Sequence, residues 1–176
     1  MSALPAIAPP GAGEFAPFYA RYIERATAAG DIRALLERQA SELSDTFGAF
    51  GEARGGHRYA PGKWSVKEVA GHIADGERVF TYRALRAARA DETPLPGFDE
   101  NAWVAAAGFD RRPLRDLVDD LLAVRAATVR LVSSLDAAAL ERRGVANGSP
   151  FSVRAIIWIV AGHAAHHLQI LRERYA

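Results

Sequence analysis

Apolar residues recur at three- and four-residue intervals over four long stretches of the chain, the period of helices that bury one face. The first predicted long helix opens at Asp31, a good N-cap, and runs to about Phe47. Ile32, Leu35, Leu36, Leu43 and Phe47 lie on its apolar side, and Gly48, Gly51, Gly55 and Gly56 break it. The second has the clearest start. In Ser65-Val66-Lys67-Glu68 the serine side chain can take a first-turn amide while the glutamate reaches back, a capping box. Val66, Val69, Ile73, Phe80 and Ala84 continue it to about Ala90. The third begins near Pro113, with Leu114, Leu117, Leu121, Val124, Thr128, Leu131 and Leu135 as its stripe. The fourth is capped by Ser152, carries Ile156, Ile159, Val160, Leu168, Ile170 and Leu171, and ends near Tyr175.

Short helices are expected over 14–29 and 100–107, with loops at 93–97 and at Asn147-Gly148-Ser149-Pro150. No segment reads as a strand. The pattern predicts an all-α protein, a four-helix bundle formed as one domain over 14–176, with the Ala/Pro-rich residues 1–13 as a flexible tail. Two connections between long helices are long and one is short, so simple up-down alternation is not dictated.

Composition narrows the chemistry. The 176 residues carry a net charge of +1, with basic and acidic residues interleaved, which excludes an electrostatic case for nucleic acid or an anionic membrane. There is no cysteine, so disulfides, thiolate ligands and a cysteine nucleophile are excluded. The first 13 residues lack the charged start and apolar run of a signal peptide, and no 18-residue apolar stretch exists, so a cytoplasmic protein is expected.

Within that frame the histidines stand out. His163 and His167 are four residues apart, hence one turn apart on one helix face, where a single metal ion could take both imidazoles. They share their stripe with Ile156, Ile159, Val160, Ile170 and Leu171, an inward face. His72 lies at the border of the stripe of the second helix, where Gly76, one turn on, leaves space beside it. Three neutral imidazoles with an open position would make a catalytic rather than a structural metal site; the bland alternative is helix histidines bonded to backbone or water. His166, on the flank, is a candidate for a supporting role at the rim, and His57, in a Gly/Arg-rich loop, is expected to be solvated. Glu77 falls on the buried stripe, where a carboxylate needs a partner. It is either ion-paired with an arginine such as Arg83 or Arg154, or an acceptor or general base near the metal.

Several stretches in this order resemble one family: Gly62-Lys63-Trp64-Ser65-Val66-Lys67-Glu68, Gly71-His72-Ile73-Ala74-Asp75-Gly76-Glu77-Arg78, Gly162-His163-Ala164-Ala165-His166-His167 and Leu171-Arg172-Glu173-Arg174-Tyr175. Together they resemble the DinB/YfiT-like superfamily of candidate metalloenzymes. The resemblance implies a bundle in up-down-down-up order and one divalent ion, zinc or nickel, held by His72, His163 and His167. It also implies a small-molecule substrate, in some relatives a low-molecular-weight thiol such as bacillithiol or mycothiol, and a homodimer. Two functions follow as expectations. One is a metal-dependent enzyme, S-transferase or hydrolase-like, activating a thiol or water, with Glu77 or His166 as candidate catalytic residues. The other is a non-catalytic, metal-stabilised dimeric binding or stress-related module.

Overall fold

A computed structural model describes residues 4–175 of the chain. Four long helices form the bundle: α2 (Ile32–Arg54), α3 (Val66–Ala88), α5 (Leu114–Ser133) and α7 (Val153–Arg174). Shorter helices α1 (Ala20–Thr27), α4 (Glu100–Ala107) and α6 (Ala137–Glu141) fill the connections. The caps read from the sequence form. Ser65 Oγ accepts from the Glu68 amide while Glu68 takes the Ser65 amide, Asp31 caps α2, Asp99 caps α4 and Ser152 caps α7.

The bundle is closed as α2–α5–α3–α7, with α2 and α3 on one diagonal. End contacts fix the directions. The Arg54 guanidinium donates to the Tyr175 carbonyl, joining the C-terminal ends of α2 and α7. Ser65 Oγ meets Asp110 just ahead of α5, so α3 and α5 start at the same end. Tyr175 Oη donates to the Trp64 carbonyl, so α7 ends where α3 begins. The order is therefore up-down-down-up, and the long 89–113 connection carries the chain back along the bundle between its two parallel members.

Two apolar clusters fill the core. One packs Leu36 and Phe80 against Ile156, Ile159 and Val160; the other packs Leu43, Ile73, Leu121, Ala164 and Leu168. A layer of buried polar side chains separates them. Arg125 donates from Nε and Nη2 to the two Glu77 oxygens at 2.9 and 2.8 Å, and from Nη1 to Gln39 Oε1 at 2.7 Å. Gln39 Nε2 in turn donates to the Ala161 carbonyl at 2.8 Å. One residue from each of three helices and a carbonyl of the fourth thus meet at one level of the bundle.

Several expectations are corrected. The first long helix does not stop at Phe47; it passes Gly48 and is broken only at Gly51, whose φ of 62° is left-handed. The buried face of α5 passes through Arg125 and Val132 rather than Val124 and Leu131. A strand pair was not expected, yet β1 (Arg143–Ala146) and β2 (Ser149–Ser152) form an antiparallel hairpin. Its turn is Asn147-Gly148, both at positive φ (49° and 71°), the conformation that matches strand twist. Leu95 is strapped to the hairpin, its amide on the Val145 carbonyl and its carbonyl on the Asn147 amide.

The segment expected to be a flexible tail is packed where it is described. Ile7 is buried in the first cluster, Trp158 Nε1 donates to the Ala8 carbonyl at 3.1 Å, and Gly11 donates to Glu14. One aliphatic side chain, a buried indole needing an acceptor, and Arg33 donating to the Pro5 carbonyl tie it to the bundle. No helix among the described residues is long and apolar enough to cross a membrane.

Candidate metal centre

His72 on α3 and His163 and His167 on α7 converge between the two helices. His163 Nε2 lies 3.0 Å from His72 Nε2 and 3.1 Å from His167 Nε2, and the three rings offer ligand atoms within 4.8 Å of one another. Metal–imidazole bonds of about 2.0–2.1 Å place neighbouring ligand nitrogens about 2.9–3.4 Å apart, so the observed spacing fits a shared ion. The donor chemistry fits as well. A neutral imidazole has one N–H and one lone pair. His163 Nε2, if it carries the proton, can donate to only one of its two neighbours, leaving a lone pair buried and unmatched. A cation accepts all three.

The local sequence explains the convergence. Four-residue spacing stacks His163 over His167. A Cβ on Gly76 would stand 3.0 Å from His163 Cε1, so the gap expected beside His72 is used by the ring from the opposite helix. Gly162 has no Cβ to collide with the Tyr22 carbonyl, which lets α1 lie directly on α7. Trp64 packs on His72 with ring centroids 4.5 Å apart, and Phe80 and Tyr22 meet the edges of His163 at 5.6 Å.

Burial keeps these rings neutral. Desolvation lowers His72 to about 4, with the His166 charge adding to it. His163 is held well below the ordinary imidazole range by desolvation, then by His167 and His72; His167 is lowered by desolvation, then by His72 and His166. Neutral imidazole is the metal-binding form.

The rings open on a cavity of about 390 Å³. Its walls come from α3, α7, the 97–100 segment, Asn147 of the hairpin turn, and residues 16–22. The last wall was not legible in the sequence. It is placed by Glu14, whose carboxylate accepts from Arg154, Ser152 Oγ and the Gly11 amide, fixing the chain just ahead of α1.

Of the two residues expected to be catalytic, His166 borders the cavity. Its Nδ1 is buried with no hydrogen-bond partner, and its ring packs 5.3 Å from that of Tyr22. Desolvation, then Arg21 and Arg25, lower its pKa. Glu77 is placed differently. It is 1% exposed, both oxygens are committed to Arg125, and it does not border the cavity, so it is not available as a general base there. Its expected partners are corrected too: Arg154 pairs with Glu14 and Glu141, and Arg83 donates to the Pro96 carbonyl. His57 is exposed, and Asp75 pairs with Arg78 at 3.0 Å.

Residues 35–171 match the DinB superfamily, and the chain belongs to it. A protein of Oceanobacillus iheyensis, described as a candidate metal-dependent hydrolase, is 27% identical over 136 residues, which make up 76% of this chain and 77% of that protein. Among solved structures, YfiT from Bacillus subtilis, described as a probable metal-dependent hydrolase with an unusual four-helix bundle topology, superposes with a TM-score of 0.73. It is 19% identical, and the match covers 81% of this chain and 82% of YfiT. The mycothiol-dependent maleylpyruvate isomerase superposes at 0.68 with 16% identity, over 80% of this chain and 59% of the isomerase. At these identities the two structures establish the shared fold.

Proposed function

We propose that this protein is a metal-dependent enzyme in which His72, His163 and His167 hold one divalent ion, zinc or nickel. The observation that carries the reading is the convergence of three neutral Nε2 atoms at 3.0 and 3.1 Å on the wall of an open cavity. A closed structural site would use a fourth protein ligand, and no other His, Asp or Glu of the described residues joins the three. A divalent ion bound there supplies Lewis acidity, lowering the pKa of a water or a small thiol to near neutrality. The descriptions of the Oceanobacillus protein and of YfiT favour hydrolysis of an electrophile; the likeness to the mycothiol-dependent isomerase favours a thiol as the activated group.

The chain's own residues would do the rest. Trp64 packed on His72, with Phe80 and Tyr22 against His163, would hold the planes of these two imidazoles. His166, which borders the cavity and has a buried, unpartnered Nδ1, would hold or pass a proton next to the reacting group. Glu77 acts on the site only by anchoring α3 to α5 through Arg125.

Two assays on metal-loaded protein test this: hydrolysis of chromogenic esters and amides, and thiol transfer to an electrophile such as chlorodinitrobenzene. The expected result is turnover that a chelator abolishes, divalent metal restores, and His72→Ala removes with only a modest change in melting. A His72→Ala variant that melts far lower, in a protein without metal-dependent turnover in either assay, would favour the non-catalytic module.

A further inference from the structure

Arg83 is a buried cation without a counter-ion. It is 5% exposed, joins no ion pair among the described residues, and makes one hydrogen bond, from Nη2 to the Pro96 carbonyl at 2.9 Å. The other buried arginine, Arg125, has its charge met by a carboxylate; Arg83 has none. An arginine so little exposed is usually paired, and the guanidinium nitrogens of Arg83 that make no hydrogen bond are left to the space it borders.

Arg83 borders the histidine cavity. It lies eleven residues past His72 on α3, about three turns on and hence on the same face. Helical side chains lean toward the N-terminus, which tilts Arg83 toward the histidine end of α3. Its guanidinium carbon lies 5.9 Å from the ring centroid of Phe98, which also borders the cavity, and the Pro96 bond holds the head group between this cavity and an adjoining groove lined by Tyr82 and Pro96. Arg21 and Glu100 also border the cavity, but both are exposed and neither pairs with Arg83. With neutral histidines the charged side chains bordering the cavity are Arg83, Arg21 and Glu100, and Arg83 is the one of the three that is buried.

We propose that Arg83 binds a carboxylate of the substrate, making it a specificity-determining residue of this cavity. The inference rests on the reading of the cavity as the substrate site. The substrate is a small carboxylic acid derivative whose electrophilic group meets the histidine end while its carboxylate pairs with the Arg83 guanidinium. A carboxylate fits better than a phosphate. One guanidinium with an arm already spent on Pro96 matches a monoanion, whereas phosphate is usually met by several cations or by a cluster of backbone amides. The aromatic rings of Phe80 and Phe98 would take the apolar body between the two ends.

The test uses a matched pair of probes, phenylacetate and phenylacetamide, which differ in charge and little in shape. Binding is followed by ligand-observed NMR to wild type, Arg83→Gln and Arg83→Lys, each in metal-loaded and metal-free form, with metal content and circular dichroism recorded. The metal-free arm removes direct carboxylate coordination. In that arm wild type should prefer the acid by about tenfold or more. Arg83→Gln should bring acid and amide within about twofold, and Arg83→Lys should keep part of the preference. Equal binding of acid and amide to wild type, no binding of either, or a preference that survives Arg83→Gln in the metal-free arm overturns the assignment. If Arg83→Gln does not fold, the wild-type pair and Arg83→Lys still decide it. Protein that takes up no metal but shows the Arg83-dependent preference would refute the metal reading and leave the carboxylate site standing; the reverse pattern would do the opposite.

Discussion

Two groups of buried polar side chains sit at neighbouring levels of the same bundle, and they differ in whether they satisfy themselves. In the Glu77–Arg125–Gln39 layer the carboxylate is matched by guanidinium donors, the third guanidinium nitrogen meets an amide oxygen, and the amide nitrogen ends on a carbonyl. In the His72–His163–His167 cluster three like groups face one another at 3.0 and 3.1 Å, and their lone pairs cannot all be met from within. The first group is closed, faces the core and joins helices. The second is open, faces a cavity and asks for a cation. Burial alone therefore does not mark a functional carboxylate or histidine; what marks it is an unmet valence turned toward space that a ligand can fill.

Breaking the closed group should cost the most. Glu77→Ala strands the Arg125 charge in the core and is expected to lower unfolding free energy by about 3–5 kcal/mol, read by chemical denaturation. Metal bound per folded molecule should not change; a Glu77→Ala protein of native stability that has lost its metal would place Glu77 in the site after all.

The Glu14 cluster tests the same idea through pH. Arg154, with Ser152 and the Gly11 amide, holds the Glu14 carboxyl at about 2 against an ordinary 4.5. Between those values the unfolded chain binds the proton and the folded chain does not. The contribution is therefore complete above about pH 4.5 and is lost as pH falls toward 2. It amounts to at most about 3 kcal/mol. The stability difference between wild type and Glu14→Gln should be flat at neutral pH and shrink through this window. A difference that does not change with pH down to 3 would contradict the ion-paired geometry.

Opening the second group further should act on metal and not on folding. His163→Ala removes the central ligand and is expected to weaken divalent-ion affinity by at least about a hundredfold, while the metal-free protein keeps wild-type stability or gains slightly. The smallest of the four effects tests how the cavity is walled. Gly162→Ala drives a methyl into the Tyr22 carbonyl and should cost about 1–3 kcal/mol, with α1 displaced and hydrogen exchange faster over residues 16–27.

The sequence made legible those features whose cause is local. The capping box at Ser65–Glu68, the stripes of α3 and α7 and the four-residue step from His163 to His167 are each set by residues within a turn or two. Partnerships across the bundle were not legible. Glu77 meets Arg125, 48 residues away, because helices α3 and α5 run parallel in one register, and no local pattern sets that register. The hairpin did carry a local signal in Asn147-Gly148. It was masked by Gly144 and Pro150 in the flanking strands, which lack the alternation that normally announces a sheet. The wall formed by residues 16–22 depends on Gly162 and Glu14, and their purpose appears only when α1 is seen against α7.

The most direct test of the open group is calorimetric titration of chelator-stripped protein with zinc and with nickel, with metal content counted by mass spectrometry. The prediction is one ion per chain in wild type and in Glu77→Gln, and none retained by His72→Ala, His163→Ala or His167→Ala. A wild-type protein that takes up neither ion, or triad variants that bind as tightly as wild type, would contradict it.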